Sequence, residues 1–262
     1  MSKGKFYFSK SLEKGLKILS LFNRETPSLI QSDIAKALSL NTTSTYRYIN
    51  TLVEMGFLEK DEKTKAIRPS VQCLVFCTNL LRATDHGRLI KGVIDPIHKE
   101  HNISIEVAFA VDDTLVRFYN KEAAETLTYS LPDSSKNCLH NTALGKAYLC
   151  SLPEDQRKAK LDGMNLTPKT EKTIRDRKSL MADLRVAKSR GYAVSEEEFL
   201  PGLIAIGAPL VDPLSGRGVG AVSFDFSVLQ NTVEDIQARY SGLIVATAKK
   251  LSGLLPPDRH GR

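Results

Sequence analysis

Residues 41–50, NTTSTYRYIN, contain four serine and threonine side chains, two tyrosines and one arginine, and no acidic residue. If a helix begins near Thr42, the polar side chains at three- and four-residue spacing share one of its faces. This polar face comprises Thr43, Ser44, Arg47 and Asn50. Hydroxyls and helix N-terminal amides donate to phosphates, arginine suits guanine, and asparagine suits adenine. Because a carboxylate would be repelled by the duplex, the pattern predicts a helix that reads the major groove of DNA.

The alternative is that these residues only cap a helix and face solvent, which is common for serine and threonine. The preceding segments bear on this choice. Ser11 is predicted to cap a first helix, whose inward apolar positions are Leu12, Leu16, Leu19 and Phe22. Ser32 and Asp33 are predicted to cap a second, short helix that ends at Leu38.

The segments that follow complete the pattern. Tyr46 and Ile49 are predicted to anchor the third helix to its neighbours, and Gly56 ends it. Residues 57–69 predict two short strands around a charged, mobile turn at residues 61–65. Three helices followed by a basic hairpin predict a winged helix-turn-helix, which favours DNA binding over a solvated helix.

The predicted DNA contacts divide between bases and backbone. Arg47 and Asn50 are expected to read bases, while lysines of the hairpin hold phosphates. The full predicted set is Ser32, Thr42, Thr43, Ser44, Thr45, Arg47, Asn50, Lys60, Lys63 and Lys65.

Composition and charge agree with a nucleic-acid partner. The 262 residues suffice for two domains, and the net charge of +7 is concentrated in the first 69 residues, which hold 12 Lys and Arg against 7 Asp and Glu.

Neither a signal peptide nor a bilayer-length apolar run is present, which predicts a cytoplasmic protein without a membrane partner. The 4 cysteines form no C-x-x-C pair, so we expect reduced thiols.

Beyond the hairpin the periodicity changes. Apolar residues at 71, 74, 75 and 81 predict a linker helix over residues 70–85. Helices are predicted at 87–101, 141–151, 173–190 and 232–254, and strands at 103–111, 114–119, 192–195, 204–211 and 218–226. The predicted domains are therefore 1–69, 70–85 and 86–262.

Several of these segments carry a family resemblance. SLEKGLKILSLF and QSDIAKALSLNTTSTYRYINTLVEMGFLEKD resemble the N-terminal domain of IclR-type bacterial transcriptional regulators. HNTALGKAYL, RGYAVSEEEFLPGLIAIGAPL and GAVSFDF resemble the effector domain of that family, in the same order. The resemblance covers nearly the whole chain. It implies an α+β protein, with a winged helix-turn-helix, a linker helix and a GAF-like domain that binds a small organic or aromatic carboxylate. It also implies operator DNA as a partner, a homodimer or dimer of dimers, and no cofactor.

The resemblance also implies an effector site. Its predicted residues are Ala143, Leu144, Ser195, Leu203, Ala205 and Ser223. Asn141 or Thr142 is expected to cap a helix whose first amides would donate to a bound anion. The alternative for Leu203 and Ala205 is that they only pack in the hydrophobic core, because strands that face a core and strands that face a cavity have the same apolar content. Asp225 departs from the family, in which a small neutral residue is common at this position.

Other patterns indicate no chemistry of their own. Residues 216–220, GRGVG, predict a hairpin turn and not a dinucleotide loop, and residues 144–146 lack the rest of a phosphate loop. His98 and His101 are expected at a solvated helix end. We predict no catalytic residue and no metal site, with metal binding by Cys138 or His140 left open. The rival hypotheses are an enzyme with a nucleic-acid-binding module and His140 as its acid-base group, and a protein-binding adaptor.

Overall fold

The computed structural model describes residues 7–23, 26–83, 85–111, 114–124 and 138–255. The chain divides into two compact units, residues 1–84 and residues 85–262. Within the described ranges, no helix is both long and apolar enough to cross a membrane.

The described residues of the first unit form four helices and a hairpin. In chain order its elements are α1 (Lys10–Leu19), α2 (Gln31–Ala37), α3 (Thr42–Glu54), β1 (Leu58–Lys60), β2 (Ile67–Pro69) and α4 (Val71–Ala83). The two strands are antiparallel, and Leu29 adds a bridge to Ile67. Gly56 has a φ of 78°, which only glycine adopts without strain, and it ends α3 as predicted. The predicted winged helix-turn-helix is confirmed.

The core of this unit differs from the prediction at α1. The buried side chains are Ile18, Ile34, Ile49, Leu52, Leu58 and Ile67. Leu12 and Leu16 are 63% and 55% exposed, so their predicted inward position is wrong. The helix begins at Lys10, and Ser9, not Ser11, caps it by accepting from the Leu12 amide at 3.3 Å.

The starts of α2 and α3 are made differently. Ile30 precedes α2 and provides no side-chain cap, so the predicted capping by Ser32 and Asp33 is wrong, and both lie in the first turn. Asn41 caps α3, because its side chain accepts from the Ser44 amide at 2.7 Å. This hydrogen bond satisfies one of the amides that a helix start leaves open.

The second unit is a five-stranded antiparallel sheet between two layers of helices. Its elements are α5 (His86–His101), β3 (Ser104–Val111), β4 (Thr114–Lys121), α6 (Ala143–Ser151), α7 (Glu154–Asp162), α8 (Arg177–Arg190), β5 (Ala193–Glu196), β6 (Leu203–Val211), β7 (Gly218–Ser227) and α9 (Val233–Ser252). The strand order is β4-β3-β7-β6-β5. The predicted fold class, α+β with a C-terminal sheet domain, is confirmed.

The central strand β7 shows how the two layers are formed. Val222, Phe224 and Phe226 belong to the core that includes buried residues of α5 and α9. The alternate residues face the side of α6, since successive strand residues point to opposite faces. On that side lie Ala221, Ser223 and Asp225.

Two helices depart from the sequence prediction. Helix α7 was not predicted, although Pro153 followed by Glu154 and Asp155 is a typical helix start. Helix α8 begins at Arg177 instead of residue 173, because the Asp176 side chain accepts from the Ser179 amide at 2.8 Å.

Candidate DNA-binding surface and effector cavity

The polar face of α3 is open to solvent along its length. Thr42, Thr43 and Arg47 are exposed, whereas Ser44 and Asn50 are half-buried. The first turn contains no acidic residue, and Glu54 at the last position is the one acid of the helix. Ser32 is also exposed, in the first turn of α2. These groups present hydroxyl, guanidinium and amide donors without a carboxylate among them.

Thr45 does not belong to this face. Its side chain is fully buried, and its hydroxyl donates to the Asn41 carbonyl at 2.9 Å. It lies four residues before Ile49, which is buried in the same core, so both point inward. The prediction that Thr45 contacts DNA is therefore wrong.

We expect Thr45→Val to lower the free energy of unfolding by about 1 kcal/mol, because it removes one buried hydrogen bond and keeps the side-chain shape. The DNA sequence preference should not change. Thr43→Val is the matched variant on the exposed face, and it should leave stability nearly unchanged while weakening DNA binding. Urea denaturation and gel-shift titration of both variants measure the two effects, and the reverse pattern would contradict the assignment of faces.

The two tyrosines of α3 have opposite environments. Tyr46, predicted to anchor the helix, is 49% exposed, and the Lys60 ammonium lies 5.7 Å from its ring centroid. Tyr48 packs against the helical core instead, with the Lys14 ammonium 5.8 Å from its ring. The prediction for Tyr46 is wrong, and its ring adds an exposed aromatic surface next to a predicted phosphate-binding lysine.

The hairpin turn is organised by one carboxylate. Asp61 Oδ1 accepts hydrogen bonds from the amides of Lys63 and Thr64 at 3.0 and 2.7 Å, and from the Thr64 hydroxyl at 2.8 Å. The hydrogen bonds from Thr64 lower the pKa of Asp61. Lys63 and Lys65 are exposed at the tip, with Lys65 Nζ 3.5 Å from Glu62. These hydrogen bonds define the geometry of the charged turn that the sequence predicted between the two strands.

In the second unit, one cavity gathers all six side chains predicted for effector binding. They line it together with three further residues, and the complete lining is Thr142, Ala143, Leu144, Ser195, Phe199, Leu203, Ala205, Ser223 and Asp225. The empty space between them is about 250 Å³, including the part that is open to solvent. Most of this lining is apolar, which is typical of small-molecule sites.

The first turn of α6 forms one wall of the cavity. The Thr142 hydroxyl caps the helix by accepting from the Gly145 amide at 3.0 Å, which agrees with one of the two predicted caps. The Lys146 amide donates to the Thr142 carbonyl at 2.9 Å. The amides of Ala143 and Leu144 have no acceptor within the described residues. They lie at the positive end of the helix dipole, where an anion is stabilised.

A close approach fixes this wall against the sheet. A Cβ atom on Gly207 of β6 would lie 2.7 Å from the Ala143 carbonyl oxygen, which is closer than any side chain tolerates. Glycine therefore lets the start of α6 rest directly on the strand. Ser195 ties the neighbouring strand to the same turn, since its hydroxyl donates to the Asn141 carbonyl at 2.9 Å.

The remaining polar groups of the cavity come from β7. Ser223 Oγ is buried and makes no well-aligned hydrogen bond to a described residue. Burial, together with the negative charge of Glu106, raises the pKa of Asp225 to about 8, although the Ser223 hydroxyl and Arg117 act in the opposite direction. Arg117 Nε lies 3.0 Å from Glu106 Oε1. The cavity therefore contains a carboxyl group that is mostly protonated at neutral pH.

The side chains considered for catalysis or metal binding lie elsewhere. His140 is fully buried, its Nε2 is 3.1 Å from the Thr167 carbonyl, and burial lowers its pKa. Neither His140 nor Cys138 lines the cavity. Among the described residues, no group of three or more His, Cys, Asp or Glu side chains could hold a metal ion. The His98 ring is hydrogen-bonded to the Ile103 carbonyl at 3.0 Å.

Sequence reasoning missed three members of the cavity as site residues. Thr142 was considered only as a cap, Asp225 only as a departure from the family, and Phe199 not at all. The acidic partner Glu106 was also missed. Its signal was present, because an acid in the middle of the apolar strand SIEVAFAV indicates a special environment on one face of the sheet.

Comparison with known proteins agrees with both units. The domain described as "IclR helix-turn-helix domain" matches residues 11–62, and the one described as "Bacterial transcriptional regulator IclR C-terminal" matches residues 80–253. The HTH-type transcriptional repressor AllR of Salmonella typhimurium (strain LT2) is 29% identical over 256 residues, which cover 95% of this chain and 92% of that protein.

Two solved structures show the same fold. An IclR family transcriptional regulator from Brucella abortus has a TM-score of 0.75 at 20% identity, with 97% of this chain and 95% of that one covered. An IclR homolog from Microbacterium hydrocarbonoxydans, solved in complex with 4-hydroxybenzoate, has a TM-score of 0.68 at 18% identity, with 94% and 98% covered. The chain described here belongs to the IclR family of bacterial transcriptional regulators, and it combines a helix-turn-helix DNA-binding domain with a C-terminal effector-binding domain.

Proposed function

We propose that the protein binds a specific operator through α3 and that a small molecule in the cavity modulates this binding. The acid-free, exposed face of α3 carries the first part of the proposal. Arg47 and Asn50 read bases, the side chains of Ser32, Thr42, Thr43 and Ser44 contact bases or phosphates, and Lys60, Lys63 and Lys65 hold the backbone. The protein acts in the cytoplasm, which contains the bacterial DNA.

The active form is proposed to be a homodimer or a dimer of dimers. One recognition helix covers only a half-site, so two copies are needed for affinity and for spacing specificity. Helix α4 supports this proposal, because several of its apolar side chains are exposed in the single chain. These are Val71, Leu74, Val75, Phe76 and Leu80. Exposed apolar side chains along one element are typical of an interface.

The cavity is proposed to be the effector site, and the effector is a small organic or aromatic carboxylate. The open amides of Ala143 and Leu144 suit a carboxylate, and the apolar residues Leu203 and Ala205 suit a carbon skeleton. Ser195 and Ser223 add polar contacts. The 4-hydroxybenzoate complex of the Microbacterium relative supports an acid of this kind. We assign no catalytic residue, because His140 is buried and does not line the cavity.

We expect Arg47→Ala to weaken binding to the promoter beside the protein's own gene by about 1 to 3 kcal/mol and to relax the sequence preference. Gel-shift titration against the promoter and against shuffled DNA measures both effects. Lys17→Ala is the matched control, because Lys17 is exposed on α1 and pairs with Glu13 at 2.6 Å. An unchanged affinity and preference for Arg47→Ala would remove α3 from its proposed role.

A further inference from the structure

The cavity contains a carboxyl group without a cationic partner. Asp225 is 9% exposed, and none of the described residues forms an ion pair with it. The basic groups of the surrounding elements are already engaged, because Arg117 on β4 pairs with Glu106 at 3.0 Å and Lys146 on α6 pairs with Glu198 at 2.5 Å. A buried carboxyl group is costly unless something compensates it. A cationic group of a bound ligand would provide this compensation.

Ser223 provides a second observation on the same strand. It is 1% exposed, and its hydroxyl makes no well-aligned hydrogen bond to a described residue, although it is near enough to Asp225 to lower the pKa of that carboxyl group. It lies two residues before Asp225 on β7, so both side chains are on the face that lines the cavity. Buried hydroxyls are rarely left without a partner. Ser223 and Asp225 therefore retain hydrogen-bonding capacity that the described residues do not use.

The opposite wall of the cavity, which is the first turn of α6, suits a negatively charged group. In the sheet, Gly207 of β6 pairs with Ser223, and the Ala143 carbonyl rests on Gly207. The open amides of α6 are thus placed over this pair. Asp225 is two residues further along β7, which corresponds to roughly 7 Å of strand. One cavity therefore offers an anion-binding wall and a carboxyl group several ångströms apart.

We propose that the cavity binds a small zwitterion of the amino acid type, with its carboxylate at the amides of Ala143 and Leu144 and its ammonium group at Asp225. The proposal rests on the proposed role of the cavity as the effector site, and it narrows the class of ligand. An ammonium group forms charge-assisted hydrogen bonds with Asp225 and can donate to Ser223 as well. A plain carboxylic acid offers no ammonium donor to either residue, which costs affinity.

The protonation state of Asp225 agrees with an ammonium group as its partner. Burial and Glu106 raise the pKa of Asp225 to about 8, so the carboxyl group is mostly neutral at pH 7. An ammonium group favours the ionised form, because an opposite charge nearby lowers the pKa of a carboxyl group. The proton of Asp225 then passes to the buffer, and binding releases a proton. A ligand with a hydroxyl group in place of the ammonium group releases none.

Two matched compound series test the proposal with the full-length protein. One comprises 5-aminopentanoate, 5-hydroxypentanoate and pentanoate, and the other comprises 4-(aminomethyl)benzoate, 4-(hydroxymethyl)benzoate and 4-methylbenzoate. Titration calorimetry in two buffers of different ionisation enthalpy gives affinity and proton release, and thermal unfolding gives stabilisation. We expect the amino member of at least one series to bind about tenfold more tightly than its partners and to release a proton.

Asp225→Asn should abolish both the preference and the proton release. Ser227→Ala is the control, because Ser227 lies on the same strand outside the cavity lining, and it should keep both. If acids bind equally well with and without the ammonium group, or if Asp225→Asn keeps the preference, the zwitterion proposal is overturned while the effector site stands. If no compound binds the wild-type protein or either variant, the proposed effector site itself is overturned, and the zwitterion proposal with it.

Discussion

Replacing Lys146 by methionine is expected to lower the free energy of unfolding by about 3 to 5 kcal/mol, because it leaves the buried Glu198 and the half-buried Asp183 without their cation. Lys146 is 1% exposed, and its Nζ lies 2.5 Å from Glu198 Oε1 and 2.9 Å from Asp183 Oδ2. This cluster connects α6 to α8 and to the loop after β5. A shift of roughly 10 °C in the thermal midpoint is expected for a domain of this size.

Two further variants separate the cluster from a general effect of removing lysine. Lys172→Met should have a much smaller effect, since Lys172 bridges Glu196 and Glu197 at 2.7 and 2.5 Å but is half exposed. Adding Glu198→Gln to Lys146→Met should recover part of the loss, because the remaining buried charge is then removed. Burial already raises the pKa of Glu198, so the loss in Lys146→Met should also shrink in acid. An equal cost for Lys146→Met and Lys172→Met would contradict the stabilising role of the cluster.

The DNA-binding unit was largely predictable because local patterns determine it. Ile49 and Leu52 follow helical spacing, and the acid-free face of α3 is visible in ten residues of sequence. The wrong predictions concern whether a given helical side chain faces the core or the solvent. Thr45 and Tyr46 are adjacent, and only the packing of α3 against the other helices puts Thr45 inside and Tyr46 outside. On α1, the burial of Ile18 in place of Leu12 and Leu16 has the same cause.

The cavity could be predicted less well from local sequence patterns, because its chemistry depends on residues that are distant in sequence. The environment of Asp225 is created by Glu106 and Arg117, which the pairing of β3 with β4 and β7 brings close. Glu198 is 52 residues from Lys146 along the chain. A lysine within ALGKAYLC, a helix otherwise free of charge, signalled a buried partner without identifying it. The six effector residues came from the family resemblance, and their gathering around one cavity is a property of the fold.

The second large effect is expected from Asp225→Asn, which should stabilise the protein with a gain that grows between about pH 4 and pH 8. The pKa of Asp225 is raised from 3.8 to about 8 in the folded protein, so the folded state binds more protons than the unfolded chain in this range. Stability of the wild type then falls by up to about 1.4 kcal/mol per pH unit from this group alone. Asparagine has no charge to bury, so the variant lacks this decline, and the difference should reach several kcal/mol at pH 8.

Thermal or urea unfolding of both proteins from pH 4 to pH 9 measures this difference, and Asp176→Asn provides a contrast of opposite sign. Hydrogen bonds from Ser179 lower the pKa of the exposed Asp176, so that variant should lose a little stability at neutral pH and none in acid. Parallel curves for wild type and Asp225→Asn would show that Asp225 carries no burial cost. A gain that grows with pH would mean that the wild-type residue destabilises the unliganded protein. A ligand cation that pairs with Asp225 would remove the free-energy cost of burying its carboxylate. Ligand binding would then stabilise the folded protein selectively, which accounts for a destabilising residue at this position.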